Sequence, residues 1–191
     1  MHRNFYELFK SKVKEHKDKV YLIDSAADTK ITYEQCDKIT DKVANYLISK
    51  GIAPDDIITA IMGNTLEYVY LAIGAFKVGV IFNPLNPRLS KQEIKEMLDN
   101  TNPKLVFYDG DVLKESDKFP DNYKDKFKPN LDKEMLLLYT SGTTGKPKGI
   151  ILTQESVLYG ALNGAKSVKL RDNLVLFDLL PFCLLLVFHL F

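Results

Sequence analysis

The run Thr140–Lys148, "TSGTTGKPK", gathers hydroxyls, glycines and lysines at a density that points to phosphate chemistry. Gly142 and Gly145 admit backbone angles that side chains resist, so successive N–H groups can converge on one anion. Thr140, Ser141, Thr143 and Thr144 add hydroxyl donors, and Lys146 and Lys148 add positive charge. Phosphate is the ligand that uses all three. A Walker-type P-loop requires G-x-x-x-x-G-K-[ST], with the last hydroxyl on a magnesium ion. Here the glycines stand too close together, and Pro147 occupies the Ser/Thr position. The following segment, "GIIL", reads as a strand, so the expected unit is strand–loop–strand over 136–152, with a helix beginning near Thr153. A plain hairpin turn needs only about two to five connecting residues and leaves the repeated T-S-G-T-T-G without a purpose.

The elements that must carry this loop alternate helix and strand. Phe5, Leu8, Phe9 and Val13 recur at helical spacing among lysines, which predicts an amphipathic helix packed on its own protein. Tyr21–Ile23 is a short strand ending at Asp24. Thr32 with Gln35 forms a capping box for a helix carrying Ile39, Val43 and Leu47, and Gly51 is placed to end it in a left-handed turn. Ile57–Met62 reads as a buried strand, "LEYVYLAIGAFKV" as a mostly apolar helix closed by Gly79, and "VIFNPLNPRLS" as a strand entering a Pro-rich turn. Ser90 with Glu93 starts the next helix, and Lys104–Asp109 is another strand after the Asn102-Pro103 break. Helices between short β-rich runs predict an α/β layered fold with a mainly parallel sheet. From 110 to 130 charge dominates, with two prolines and few aliphatics, which reads as a solvated connection and not a core element.

Composition excludes several classes. At 191 residues the chain suffices for one good-sized domain or part of a larger one. A hydrophobic fraction of 46% and a charged fraction of 27% are ordinary for a soluble globular protein. A net charge of +1 gives no electrostatic case for nucleic acid or an anionic membrane. Cys36 and Cys183 lie far apart and form no metal or redox motif; they read as buried or free thiols in a reducing compartment. The N-terminus lacks the apolar core of a signal peptide, so the default location is the cytoplasm.

"YTSGTTGKPKG" resembles the signature of the adenylate-forming, AMP-binding superfamily: acyl-CoA synthetases, luciferases and peptide-synthetase adenylation domains. The segments "ITYEQCDKITDKVANYLISKGIAPDD" and "NTLEYVYLAIGAFKVGVIFNPLNPRLSKQEI" resemble earlier blocks of the same family in order and spacing, and the likeness covers roughly Phe5 to Phe182. The resemblance implies activation of a small-molecule carboxylate by ATP, giving an acyl-adenylate and pyrophosphate. It then implies transfer of the acyl group to coenzyme A or to a carrier protein's pantetheine. By position it implies that Thr140, Ser141, Gly142, Thr143, Thr144 and Gly145 hold the β- and γ-phosphates, with Thr140 the candidate for approach to Mg2+. Lys146 and Lys148 would offset charge on the departing pyrophosphate; Lys148 is the better catalytic candidate, since the position of Lys146 varies in the family. Tyr139 ends the incoming strand, where core packing competes with any functional role.

The same resemblance sets the expected extent. Residues 1–191 correspond to the first part of the family's large N-terminal domain, with the adenine motif, the ribose-binding aspartate and the small C-terminal domain expected further on. The apolar stretch 174–191 departs from the pattern L-P-[LMF]-[FY]-H: Leu180 and Pro181 fit, but Leu184 stands at the histidine position and His189 is displaced. An insertion, a truncated or frameshifted end, and a membrane-entering tail all stay open, the last weakened by Asp178 and Pro181. Two function classes follow: an acyl-CoA synthetase-like ligase of which this is the N-terminal part, and a non-catalytic relative that at most binds nucleotide phosphates. By itself the chain is expected to be poorly soluble, through exposed sheet edges and apolar faces, and to catalyse no carboxylate-dependent ATP–pyrophosphate exchange.

Overall fold

Capping residues set most of the element boundaries. The computed structural model describes residues 4–124, 130–140 and 147–167. Asn4 caps α1 (Phe5–His16), its Oδ1 accepting from the Glu7 N–H at 2.8 Å. Strands β1 (Val20–Asp24) and β2 (Thr29–Thr32) form an antiparallel hairpin whose turn is built on Asp24, with Oδ1 accepting from Ala26 N at 2.9 Å and Ala27 N at 3.1 Å. The Thr32/Gln35 capping box opens α2 (Tyr33–Ser49), and Gly51, with φ of +76°, turns the chain away after it. Next come β3 (Ile57–Ile61) and α3 (Leu66–Val78), the latter capped by Thr65 and closed by Gly79 at φ of +83°. Then follow β4 (Ile81–Leu85), α4 (Lys91–Thr101) with its Ser90/Glu93 capping box, β5 (Leu105–Tyr108) and the one-turn α5 (Leu113–Ser116). The last described elements are β6 (Glu134–Thr140), β7 (Lys148–Thr153) and α6 (Gln154–Ser167).

The main sheet has the order β5-β3-β4-β6-β7. Strands β5, β3, β4 and β6 run parallel, β4 meeting β6 at Phe82↔Leu136, and β7 pairs antiparallel with β6 along its length. This is the α/β architecture with a mainly parallel sheet that the helix–strand alternation predicts. Side chains alternate between its two faces, as the pleat requires. Ile58, Ala60, Phe82, Phe107 and Leu136 join one core with α1, α2 and α3, while Ile61, Leu85, Val106 and Tyr139 join a second core with Met97 and Leu98 of α4. Helices therefore cover both faces. Of α3, every residue from Glu67 to Val78 is buried, which explains why its sequence is apolar all round.

The crossing of α2 and α3 is close because Gly74 allows it. A Cβ at this position would lie 2.6 Å from Val43 Cγ1 and 2.9 Å from Val43 Cβ, on a β-branched side chain with little room to rotate. We expect Gly74→Ala to destabilise the fold by about 1–3 kcal/mol through overpacking, outweighing alanine's better helix propensity. A lowered urea midpoint checks this; an unchanged or raised midpoint would show that the two helices separate freely.

One sequence expectation needs correction, and one strand was not foreseen. The strand β2 was not legible, because "TKIT" has one aliphatic residue and pairs only through the local Asp24 turn. The stretch 110–130 is not simply a solvated connection, since Val112, Ser116 and Tyr123 within it are buried. The physical reason is Glu67, whose carboxylate accepts from the N–H groups of Gly110 at 2.6 Å, Val112 at 2.7 Å and Leu113 at 2.8 Å. That acceptor takes three of the four N–H groups of 110–113, the Asp111 N–H donating to Tyr108 O at 3.2 Å, and lets Val112 reach the core. Residues 125–129 of this stretch lie outside the described residues.

Candidate functional site

β6 is apolar where it enters the sheet and polar where it leaves. Met135, Leu136 and Leu137 are buried, whereas Thr140 at the end is exposed. The antiparallel register then sets Tyr139 opposite Gly149 and Thr140 opposite Lys148. Thr140 Oγ1 donates to the Lys148 carbonyl at 3.4 Å, a long bond that closes the mouth of the hairpin. Seven residues, 141–147, connect the two strands, more than an ordinary hairpin uses. Of the candidate phosphate residues, the structure thus brings Thr140 and Lys148 together; Ser141, Gly142, Thr143, Thr144, Gly145 and Lys146 lie outside the described residues. So do Cys183, Leu184 and His189, and the whole of 174–191.

The chain after Lys148 continues as a strand, and α6 begins only at Gln154. A Walker loop delivers its phosphate onto a helix N-terminus, so this geometry is not one. Lys148 is exposed and forms no ion pair with any described residue. Behind the mouth, α6 is fastened by Gln154, a buried residue whose Oε1 accepts from Phe5 N at 3.0 Å.

Tyr139 does more than pack. Its hydroxyl donates to Met97 O at 3.2 Å and accepts from Asn100 Nδ2 at 2.9 Å, and it lies 2.7 Å from Thr101 Oγ1. All three partners sit on the last turn and a half of α4. Sequence reasoning placed Tyr139 only at a strand end; the signal it lacked is the pairing of one strand with a helix some forty residues earlier.

Other chemistry is sparse. Among the described residues no group of three His, Cys, Asp or Glu side chains could hold a metal ion. Cys36 is fully buried, and burial pushes its thiol up to about 12, so it is neither a nucleophile nor a ligand at neutral pH. Among the described residues no helix is long and apolar enough to cross a membrane.

A parallel sheet covered on both faces, ending in a hairpin whose loop is rich in hydroxyls, glycines and lysines, defines the class: the chain belongs to the AMP-binding enzyme family, whose model matches residues 9–189. Among its relatives is the long-chain-fatty-acid–CoA ligase FadD13 of Mycobacterium tuberculosis, 29% identical over 181 residues, an alignment covering 81% of this chain and 36% of that protein. Gramicidin S synthase 2 of Brevibacillus brevis is 26% identical over 167 residues, covering 82% of this chain and 4% of that protein. The fold matches the inhibitor-bound crystal structure of the N-terminal domain of FACL13 from Mycobacterium tuberculosis with a TM-score of 0.89, at 24% identity, over 98% of this chain and 55% of that one. The chain thus spans about a third of the length of FadD13.

Proposed function

We propose that the β6–β7 hairpin grips the polyphosphate of ATP in an enzyme that activates a carboxylic acid, as acyl-CoA synthetases do. The observation that carries this reading is the register that sets Thr140 against Lys148 across a seven-residue hydroxyl- and glycine-rich loop. In the reaction a carboxylate oxygen attacks the α-phosphorus, the bond from that phosphorus to its bridging oxygen breaks, and magnesium pyrophosphate leaves. Negative charge then accumulates on the leaving group. Lys148, with Lys146, offsets that charge, while the hydroxyls and N–H groups of 140–145 hold the oxygens in place. Thr140 supplies a neutral oxygen suited to an ion that keeps most of its waters, as magnesium accompanying ATP does. A thiol of coenzyme A or of a carrier's pantetheine next attacks the acyl carbonyl, and AMP departs. The name of FadD13, a long-chain-fatty-acid–CoA ligase, supports coenzyme A as that acceptor.

The test is carboxylate-dependent exchange of labelled pyrophosphate into ATP by the product of the complete reading frame, with fatty, aryl and amino acids offered in turn. Exchange with one class supports the ligase and names its substrate. Absence of exchange with all three, while magnesium pyrophosphate still binds, would leave a phosphate-binding relative that does not ligate.

A further inference from the structure

Among the described residues, the mouth of the hairpin is tethered through Tyr139 on the β6 side. Tyr139 is the last residue of β6 before Thr140, and strand alternation turns its ring to the α4 face of the sheet, where it joins Ile61, Leu85 and Met97. A phenol has one proton to give and two lone pairs to receive with. The proton can go to Met97 O or Thr101 Oγ1, Asn100 Nδ2 donates to the oxygen, and with the proton on Met97 O the Thr101 hydroxyl donates as well. Such a hydroxyl is saturated, and its position along α4 is fixed to within a hydrogen-bond length. Across the hairpin, the position opposite Tyr139 is Gly149, where an added Cβ would stand 3.0 Å from Leu137 Cδ1 and 3.6 Å from the Tyr139 ring. The ring thus lies alongside the bare backbone at the start of β7. One side chain locates both strand ends from which the loop departs.

We infer that Tyr139 is a positioning residue for the strand ends at the mouth of the β6–β7 hairpin: by locking the end of β6 to the last turns of α4 and lying against Gly149, it sets where Thr140 and Lys148 stand. This rests on the phosphate-binding reading of the β6–β7 loop. Packing alone does not require the hydroxyl, since a phenylalanine would fill the same volume. An oxygen satisfied three ways beside a half-exposed strand end is what precise placement of the next residue requires, because misplacing a binding group by a fraction of an ångström weakens its contact.

The test titrates the isotope-labelled product of the complete reading frame with magnesium pyrophosphate and follows the amide resonances of Thr140, Lys148 and Gly149, well below each variant's unfolding transition. Tyr139→Phe is expected to weaken binding about tenfold and to alter the shift pattern of these three amides. Asn100→Ala combined with Thr101→Val, which removes the two side-chain partners on α4 and leaves the ring and the Met97 carbonyl, is expected to reproduce most of that loss; it decides the matter if Tyr139→Phe does not fold. Glu67→Gln, which weakens a different anchor, is expected to bind as the parent does even where its stability falls. Affinity of Tyr139→Phe within about twofold of the parent would overturn the inference and leave the phosphate reading intact. An equal loss in Glu67→Gln would also overturn it, reducing Tyr139 to general stability. If the parent itself shows no binding, the phosphate reading fails and this inference falls with it.

Discussion

Replacing Lys77 by Ala lowers the stability of the fold by about 3–5 kcal/mol, the cost of leaving buried carboxylates without their cation. Lys77 is 1% exposed and sits at the last turn of α3, against α2. Its ammonium donates to Asp37 Oδ1 at 2.8 Å, to the Asp37 carbonyl at 3.0 Å and to Asp41 Oδ1 at 2.5 Å, and lies 5.5 Å from the centre of the Phe9 ring. Lys10 of α1 reaches the other oxygen of Asp37 at 2.6 Å. Three helices therefore meet on one ion network. Lys77→Met is expected to cost nearly as much as Lys77→Ala, because restored volume does not neutralise Asp41. Adding Asp41→Asn to Lys77→Met should recover part of the loss, since Asp37 keeps Lys10. Chemical unfolding of the three variants checks this; a mild effect of Lys77→Met alone would show that water reaches both carboxylates.

The same network has a definite pH signature. For Asp37 burial raises the carboxyl, but Lys77 and Lys10 together hold it below its ordinary 3.8. For Asp41 burial dominates, and with one shared lysine its carboxyl stays above 3.8. A lowered folded value means that Asp37 contributes stability above 3.8 and loses it as pH falls through the folded value. A raised value means that Asp41 contributes below 3.8 and loses that contribution as pH rises through its own folded value. The two oppose each other. Asp41→Asn is therefore expected to cost less at neutral pH than Asp37→Asn and to steepen the acid limb of the stability profile, measured by unfolding across the acid range.

The second large effect concerns binding. Lys148→Ala is expected to weaken magnesium pyrophosphate about ten- to a hundredfold, the range for a charge-assisted contact of about 1.5–3 kcal/mol. Its unfolding transition should hardly move, because Lys148 is exposed and pairs with no described carboxylate. Lys148→Arg should restore much of the charge but not the geometry, since a planar guanidinium and a compact ammonium approach phosphate differently.

Much of the framework was legible because its signals are local. Thr32 with Gln35, Ser90 with Glu93, and Gly51 and Gly79 mark helix ends within a few residues of the backbone they satisfy. The apolar run "GIIL" after Lys148 likewise predicted a strand beyond the loop, and β7 is there. What escaped the sequence depends on distant partners. Lys77 reads as a basic residue suited to a helix C-terminus, and only the packing of α3 on α2 turns it into a buried cation. Glu67 reads as a favourable first-turn acid, yet its carboxylate anchors the backbone of 110–113. Tyr139 reads as a strand terminator, and its hydroxyl is committed to α4. In each case an ordinary local role hides a long-range one, and no periodicity encodes the difference.

Polyphosphate binding at the mouth formed by Thr140 and Lys148 is tested by titrating the product of the complete reading frame, parent and Lys148→Ala, with magnesium pyrophosphate, read from the amide resonances along β6 and β7. Saturable shifts concentrated at Thr140, Lys148 and Gly149 are expected in the parent, with affinity lower by about tenfold or more in Lys148→Ala. Shifts absent from these residues, or a Lys148→Ala chain that binds as tightly as its parent, would contradict it.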